Sequence, residues 1–257
     1  MLLAKRTKGQ SKPDFSIAPK GASCCVVVFH EVWGLVEHTQ DVCKRISKLG
    51  FAATAPNLYR GYDEILTPDN IQQAMEGVWE LSLEERRDKA KVAQTLAKKM
   101  VDQSIREVAS VLYDQRFRDK LLADAVSTVE RAHSKFEGVT TLGFCLGGGL
   151  SMKAATKSRH LRSAIGFYGE PPASVDVKEI TSPVLAIYAN RDEIINQKVP
   201  AFVEAVIKEG KDLTLKTYPK TQHGFFNDTR KAVYNRRAAE EAWDITRWFL
   251  EKTLGRH

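Results

Sequence analysis

Cys145 lies in the stretch TLGFCLGGGL (Thr141–Leu150), between Gly143 and Gly147. An apolar run predicted as a strand (Thr140–Phe144) ends at it, and a predicted helix (Leu146–Ala155) begins after it. Gly-x-Cys-x-Gly at a strand-to-helix turn is the nucleophile-elbow pattern Gly-x-Ser-x-Gly with sulfur in place of oxygen. A turn this sharp lifts the nucleophile above the sheet, and a side chain at either glycine would crowd the neighbouring strand or helix. The helix N-terminus favours negative charge on the sulfur, and the Leu146 N–H would face a developing oxyanion. A phosphate cradle fits less well, because Gly-x-Gly-x-x-Gly is not matched and no Lys-Ser/Thr pair follows. A buried core cysteine fits this pattern as well as a nucleophile does.

A nucleophile needs a base and a group that orients the base. In the elbow arrangement the acid precedes the histidine along the chain. Among the six histidines, His30 ends the first predicted strand, His38 falls off the apolar stripe of its helix, and His133 ends a helix. His160 is in a loop and His257 is terminal. His223, in KTQHGFF, follows the last predicted strand, and Gly224 lets its loop turn tightly. Asp192 comes first after the strand Pro183–Asn190, with Glu193 the adjacent alternative and a helix cap the bland reading. Cys145, Asp192 and His223 thus stand in the required order, each at the end of a predicted strand.

FHEVWGL (Phe29–Leu35) adds a fourth group. A zinc-binding HExxH would need histidine where Gly34 stands, so no metal is expected. The segment follows the first strand, where a second oxyanion donor arises, and Val32 N–H is the candidate. Glu31 would then lie beside the nucleophile, where a carboxylate opposes a resting thiolate; a solvated loop glutamate is the alternative.

These residues need a scaffold of strands ending on one side. CCVVVFH (Cys24–His30), FAATAPNLY (Phe51–Tyr59), GVTTLGF (138–144), SAIGFYG (163–169), PVLAIYAN (183–190) and DLTLKTYP (212–219) are short apolar runs alternating with helical patterns. The helical patterns include Val36–Leu49, Asn196–Glu209 and about Thr229–Leu254. That alternation predicts an α/β fold in a single domain over 1–257, a mostly parallel sheet with helices on both faces. Tyr62 to about Asp114 shows no strand but helical patterns such as Ala93, Leu96, Ala97, Met100 and Val101. It is expected to be a helical excursion near the site, cap-like in position.

Composition narrows the classes. There is no eighteen-residue apolar run and no signal-peptide pattern at the start, so neither a membrane span nor secretion is expected. Cys24, Cys25, Cys43 and Cys145 form no CxxC pair, which suits free thiols and a cytoplasmic location. The net charge of +7 is spread among matched acidic residues, so a nucleic-acid partner is not expected. A basic surface does help attract small anionic substrates.

VVVFHEVWGL, GFAATAPNLY, GFCLGGG, AIGFYG, YANRDEII and YPKTQHGF together resemble the dienelactone hydrolase family, the carboxymethylenebutenolidases of the α/β-hydrolase superfamily. The resemblance covers most of the chain. It implies Cys145 as nucleophile, Asp192 as acid, His223 as base, and Glu31 as the carboxylate that partners the thiol at rest. It supports Val32 and Leu146 as oxyanion donors and places Trp33, Phe167 and Tyr168 near the substrate. It implies hydrolysis of a lactone or small ester without a cofactor. Arginines bind the substrate carboxylate in the best-studied branch, one of them four residues after the catalytic histidine, where this chain has Asn227. Gly224 replaces a hydroxyl residue there, and Arg86 and Arg87 are only near the other arginine's region. A non-catalytic binding protein and a redox-sensing thiol are the competing classes.

Overall fold

The computed structural model describes residues 11–88, 90, 92, 94 and 103–255. Its centre is a seven-stranded sheet in the order β1-β3-β2-β4-β5-β6-β7. The strands are β1 (Phe15–Ile17), β2 (Cys24–Phe29), β3 (Ala52–Ala55), β4 (Gly138–Phe144), β5 (Leu161–Phe167), β6 (Val184–Ala189) and β7 (Leu213–Tyr218). All neighbours run parallel except β1, which pairs antiparallel with β3, Phe15 opposite Ala55.

β7, at the sheet edge, is partly exposed through Leu215, and the other five long apolar runs are largely buried strands because a parallel sheet is covered on both faces. Alternate residues of β2 show it. Cys25, Val27 and Phe29 pack with α5 (Gln115–His133) and α6 (Leu146–Ala154), while Val26 and Val28 pack with α1 (Glu37–Lys48) and α9 (Arg236–Leu254). Helix α8 (Val199–Lys208) covers β6 through Phe202 and Val206.

The excursion contains α2 (Pro68–Trp79), α3 (Leu83–Arg87) and α4 (Gln103–Leu112), with no strand among its described residues. Thr67 caps α2 through the Asn70 N–H, with Pro68 in the first turn, and Ser82 with Glu85 forms a capping box on α3. The Ala93, Ala97, Met100 and Val101 positions lie outside the described residues. Two boundaries differ from expectation. The last helix starts at Arg236, capped by Asn235, and Thr229–Tyr234 forms turns instead. The predicted Asn196–Glu209 helix starts later, as α8, with Pro200 in its first turn, and the short α7 (Glu193–Asn196) precedes it.

Candidate active site

Cys145 joins β4 to α6 with φ 54° and ψ −116°, a conformation that costs a residue with a Cβ about 1–3 kcal/mol. The flanking glycines are needed for space. A Cβ on Gly143 would lie 2.0 Å from the Gly147 carbonyl oxygen, and one on Gly147 would lie 2.2 Å from the Phe29 carbonyl oxygen. Backbone meets backbone at both places, so nothing can rotate away. The half-buried sulfur opens onto a cavity of about 480 Å³.

Asp192, at the end of β6, and His223, in the turn after β7, meet through a 2.5 Å hydrogen bond between Nδ1 and Oδ2. Asp192 is buried, and its Oδ1 also accepts from the Ile195 N–H. With Nδ1 taken, the far ring nitrogen is the one left available to Cys145, which lines the same cavity. Burial works to lower the His223 pKa. Interaction with Cys145 and the hydrogen bond to Asp192 overcome this and hold it well above the ordinary imidazole value. Gly224, at φ 85°, makes the loop turn back at this point.

Val32 and Leu146 both line the cavity beside Cys145. Neither N–H donates to another protein group among the described residues. Glu31 is buried, not a solvated loop residue. Its carboxylate accepts from the Tyr168 hydroxyl at 3.1 Å and from the Asn227 amide at 2.6 Å. Burial, then the charges of Glu31 and Cys145, push the Tyr168 hydroxyl well above its usual pKa, so it stays a donor. Both groups therefore act on one tyrosine, although the direct partners of the Glu31 carboxylate are Tyr168 and Asn227. Among the described residues no cluster of three or more His, Cys, Asp or Glu is placed to hold a metal ion.

Residues 15–254 match the model of the dienelactone hydrolase family. A Saccharolobus solfataricus protein, provisionally named a carboxymethylenebutenolidase, is 36% identical over 242 residues, covering 93% of each chain. The chain belongs to the dienelactone hydrolase family. A Klebsiella pneumoniae structure, provisionally named a dienelactone hydrolase, shares its fold at TM-score 0.67 and 22% identity, over 98% of this chain and 95% of that one. A dienelactone hydrolase-like promiscuous phosphotriesterase from metagenomic libraries does so at TM-score 0.62 and 17% identity, over 94% of this chain and 99% of that one. Membership makes the chain a hydrolase of the lactone and carboxylic ester class.

The expected aromatic contacts of this dienelactone hydrolase family member divide. Tyr168, just past the end of β5 at φ 38°, lines the cavity, but Phe167 is fully buried against Phe144 and Phe226. Trp33 is buried and stacks with Arg230, whose guanidinium carbon lies 4.5 Å from the Trp33 ring centre and 5.5 Å from that of Trp79. Arg230 was not singled out by sequence; it stands seven residues after His223, in a turn whose path the sequence does not reveal. Its side chain makes no hydrogen bond among the described residues, and its charge reaches Tyr168. Arg86 instead donates to the Trp79 and Leu81 carbonyls, and the Arg87 side chain lies outside the described residues. His38, expected off the apolar stripe, is buried against Phe144 and Phe226, with Asp228 3.7 Å from Nδ1.

Proposed function

We propose that the protein hydrolyses a lactone or small carboxylic ester through Cys145 as nucleophile. The observation that carries this reading is the sulfur itself, held at a glycine-walled turn and open to a cavity that it shares with an imidazole oriented by Asp192. Cys145 attacks the carbonyl carbon after losing its proton. The oxyanion rests on the Val32 and Leu146 N–H groups. His223 then gives its proton to the leaving oxygen, and afterwards takes one from the water that releases the acyl group. Asp192 stays charged and keeps the ring in place.

Glu31 is the carboxylate that holds the thiol in reserve until substrate arrives. Its support is its burial and its hold on Tyr168, the same hydroxyl that the Cys145 charge acts on. The substrate is anionic in this reading. Arg230 offers unused N–H donors from between two indoles, and the cavity carries Arg118, Lys153 and Lys198 against Asp119 and Glu170. The cytoplasm is the compartment in which the four free thiols persist.

Purified protein given a panel of lactones and esters, with and without a free carboxylate, should show a burst and turnover that Cys145→Ala abolishes. Iodoacetamide should label Cys145 selectively. Full turnover by Cys145→Ala would remove the nucleophile assignment, and absence of any turnover in the wild type would favour a binding protein. An unchanged labelling rate across pH in Glu31→Gln would remove the reserve role.

A further inference from the structure

The Val32 N–H belongs to the peptide that joins Glu31 to Val32, so whatever fixes the Glu31 carbonyl also aims that N–H. His30 Nδ1 lies 2.6 Å from the Glu31 carbonyl oxygen, and the Gly34 N–H approaches it at 3.2 Å. A carbonyl oxygen only accepts, so Nδ1 carries the proton and the ring tautomer is settled. The opposite nitrogen, Nε2, is buried and has no partner. Burial pushes the His30 pKa down to about 4 against the bond to the Glu31 carbonyl, so the ring is neutral near pH 7. With the side chain fully buried, this imidazole is not placed to act as a base on substrate. Among the described residues its one side-chain hydrogen bond is to the Glu31 carbonyl.

Tyr59 closes the other side. Its hydroxyl donates to the Val32 carbonyl at 2.8 Å, and its ring meets His30 edge-on, 4.8 Å between centres and 74° between planes. Burial, then the charge of Cys145, raises the Tyr59 pKa well above normal, which keeps the hydroxyl a donor. The two peptides that flank the Val32 Cα are thus each held by a buried side chain. A donor on the Glu31 carbonyl also polarises that peptide, which makes its N–H a better donor.

We infer that His30 is the positioning residue of the oxyanion hole, its Nδ1–H holding the Glu31–Val32 peptide so that the Val32 amide meets the substrate oxyanion. No proton moves at His30 during turnover. The inference rests on the proposed Cys145 nucleophile and on Val32 as donor.

The test pairs two reactions of one sulfur. Hydrolysis of p-nitrophenyl acetate builds an oxyanion; alkylation by iodoacetamide displaces iodide at carbon and builds none. His30→Leu should lower kcat about tenfold to a hundredfold, somewhat less than deleting an oxyanion donor outright. KM should stay within about threefold and the Cys145 alkylation rate within about twofold. His30→Asn, whose amide nitrogen takes the place of Nδ1, should recover most of kcat. A folded His30→Leu with kcat within twofold of wild type overturns the inference. So does a parallel fall in turnover and alkylation, which would mean a displaced triad. Should His30→Leu fail to fold, Tyr59→Phe tests the same hole: kcat down about threefold or more with alkylation unchanged supports it, and unchanged kcat overturns it. Turnover surviving Cys145→Ala would instead sink the nucleophile reading itself, which separates the two failures.

Discussion

Lowering the pH from 7 to 4.5 charges His30 in the unfolded chain well before it does so in the folded one. The folded-state pKa is about 4 because burial disfavours the charged ring, against a reference of 6.5. The unfolded state therefore binds the proton first. His30 contributes its full stability above pH 6.5 and loses it as the pH falls from there through 4. A shift of that size corresponds to about 3 kcal/mol in total, of which about 2 kcal/mol is gone at pH 4.5. Burial also lowers the His38 pKa, against the charges of Glu31 and Asp228, so His38 acts in the same direction. His223 does not offset this. Its folded pKa is raised, so its contribution is complete below pH 6.5 and is lost only as the pH rises through that higher value. Most carboxylates titrate below the window. Urea unfolding, followed by tryptophan fluorescence at pH 7.0, 6.0, 5.0 and 4.5, measures the slope. His30→Asn should flatten it, leaving the His38 part. A wild-type loss under about 1 kcal/mol between pH 7.0 and 4.5, or an equal slope in His30→Asn, would refute the reasoning.

Three further outcomes are expected. Asp192→Asn puts an amide where His223 Nδ1 needs an acceptor, and kcat should fall by about 10²–10⁴ with the melting temperature little changed; steady-state kinetics and calorimetry check both. Gly147→Ala drives a Cβ to 2.2 Å from a carbonyl oxygen with backbone on each side. It should cost about 3 kcal/mol or more, seen as a melting-temperature drop of roughly 6–12 °C or loss of soluble protein. Arg230→Gln should raise KM about tenfold or more for a carboxylate-bearing ester while a neutral analogue changes less than twofold, and equal effects on both esters would show that Arg230 only braces Trp33 and Trp79.

The elbow was legible because its requirement is steric and local: a residue flanked two positions away on each side by glycine, between a strand and a helix, needs both glycines only where the turn is this tight. Asp192 and His223 were legible because strand ends are readable as apolar runs that stop. Glu31 was visible only as an oddity. What the sequence hid is what three-dimensional closure decides. His38 looked like a surface position, since helical periodicity locates the main stripe and not the side on which Phe226 arrives from nearly two hundred residues away. Tyr59 and Arg230 sit at the end of β3 and in a turn after His223, and their partners Val32 and Trp33 belong to another loop. Strand β1 was missed because three residues, only one of whose neighbours is a strand, carry too little pattern. The Thr229–Tyr234 turns read as helix because no glycine or proline interrupts them; the Asn235 cap carries the boundary.

Helix α6 lies so close to the sheet that Gly147 rests on the Phe29 carbonyl and Gly148 on that of Phe167. Main chain touching main chain leaves the sulfur's mount no room to adapt to a guest of different shape. Adjustment must come from the opposite wall, where Met75, Leu112, Leu121 and Leu122 on the α2, α4 and α5 helices face the cavity. A library confined to those four positions should therefore exchange one acyl or alcohol shape for another while the reactive geometry stays as it is.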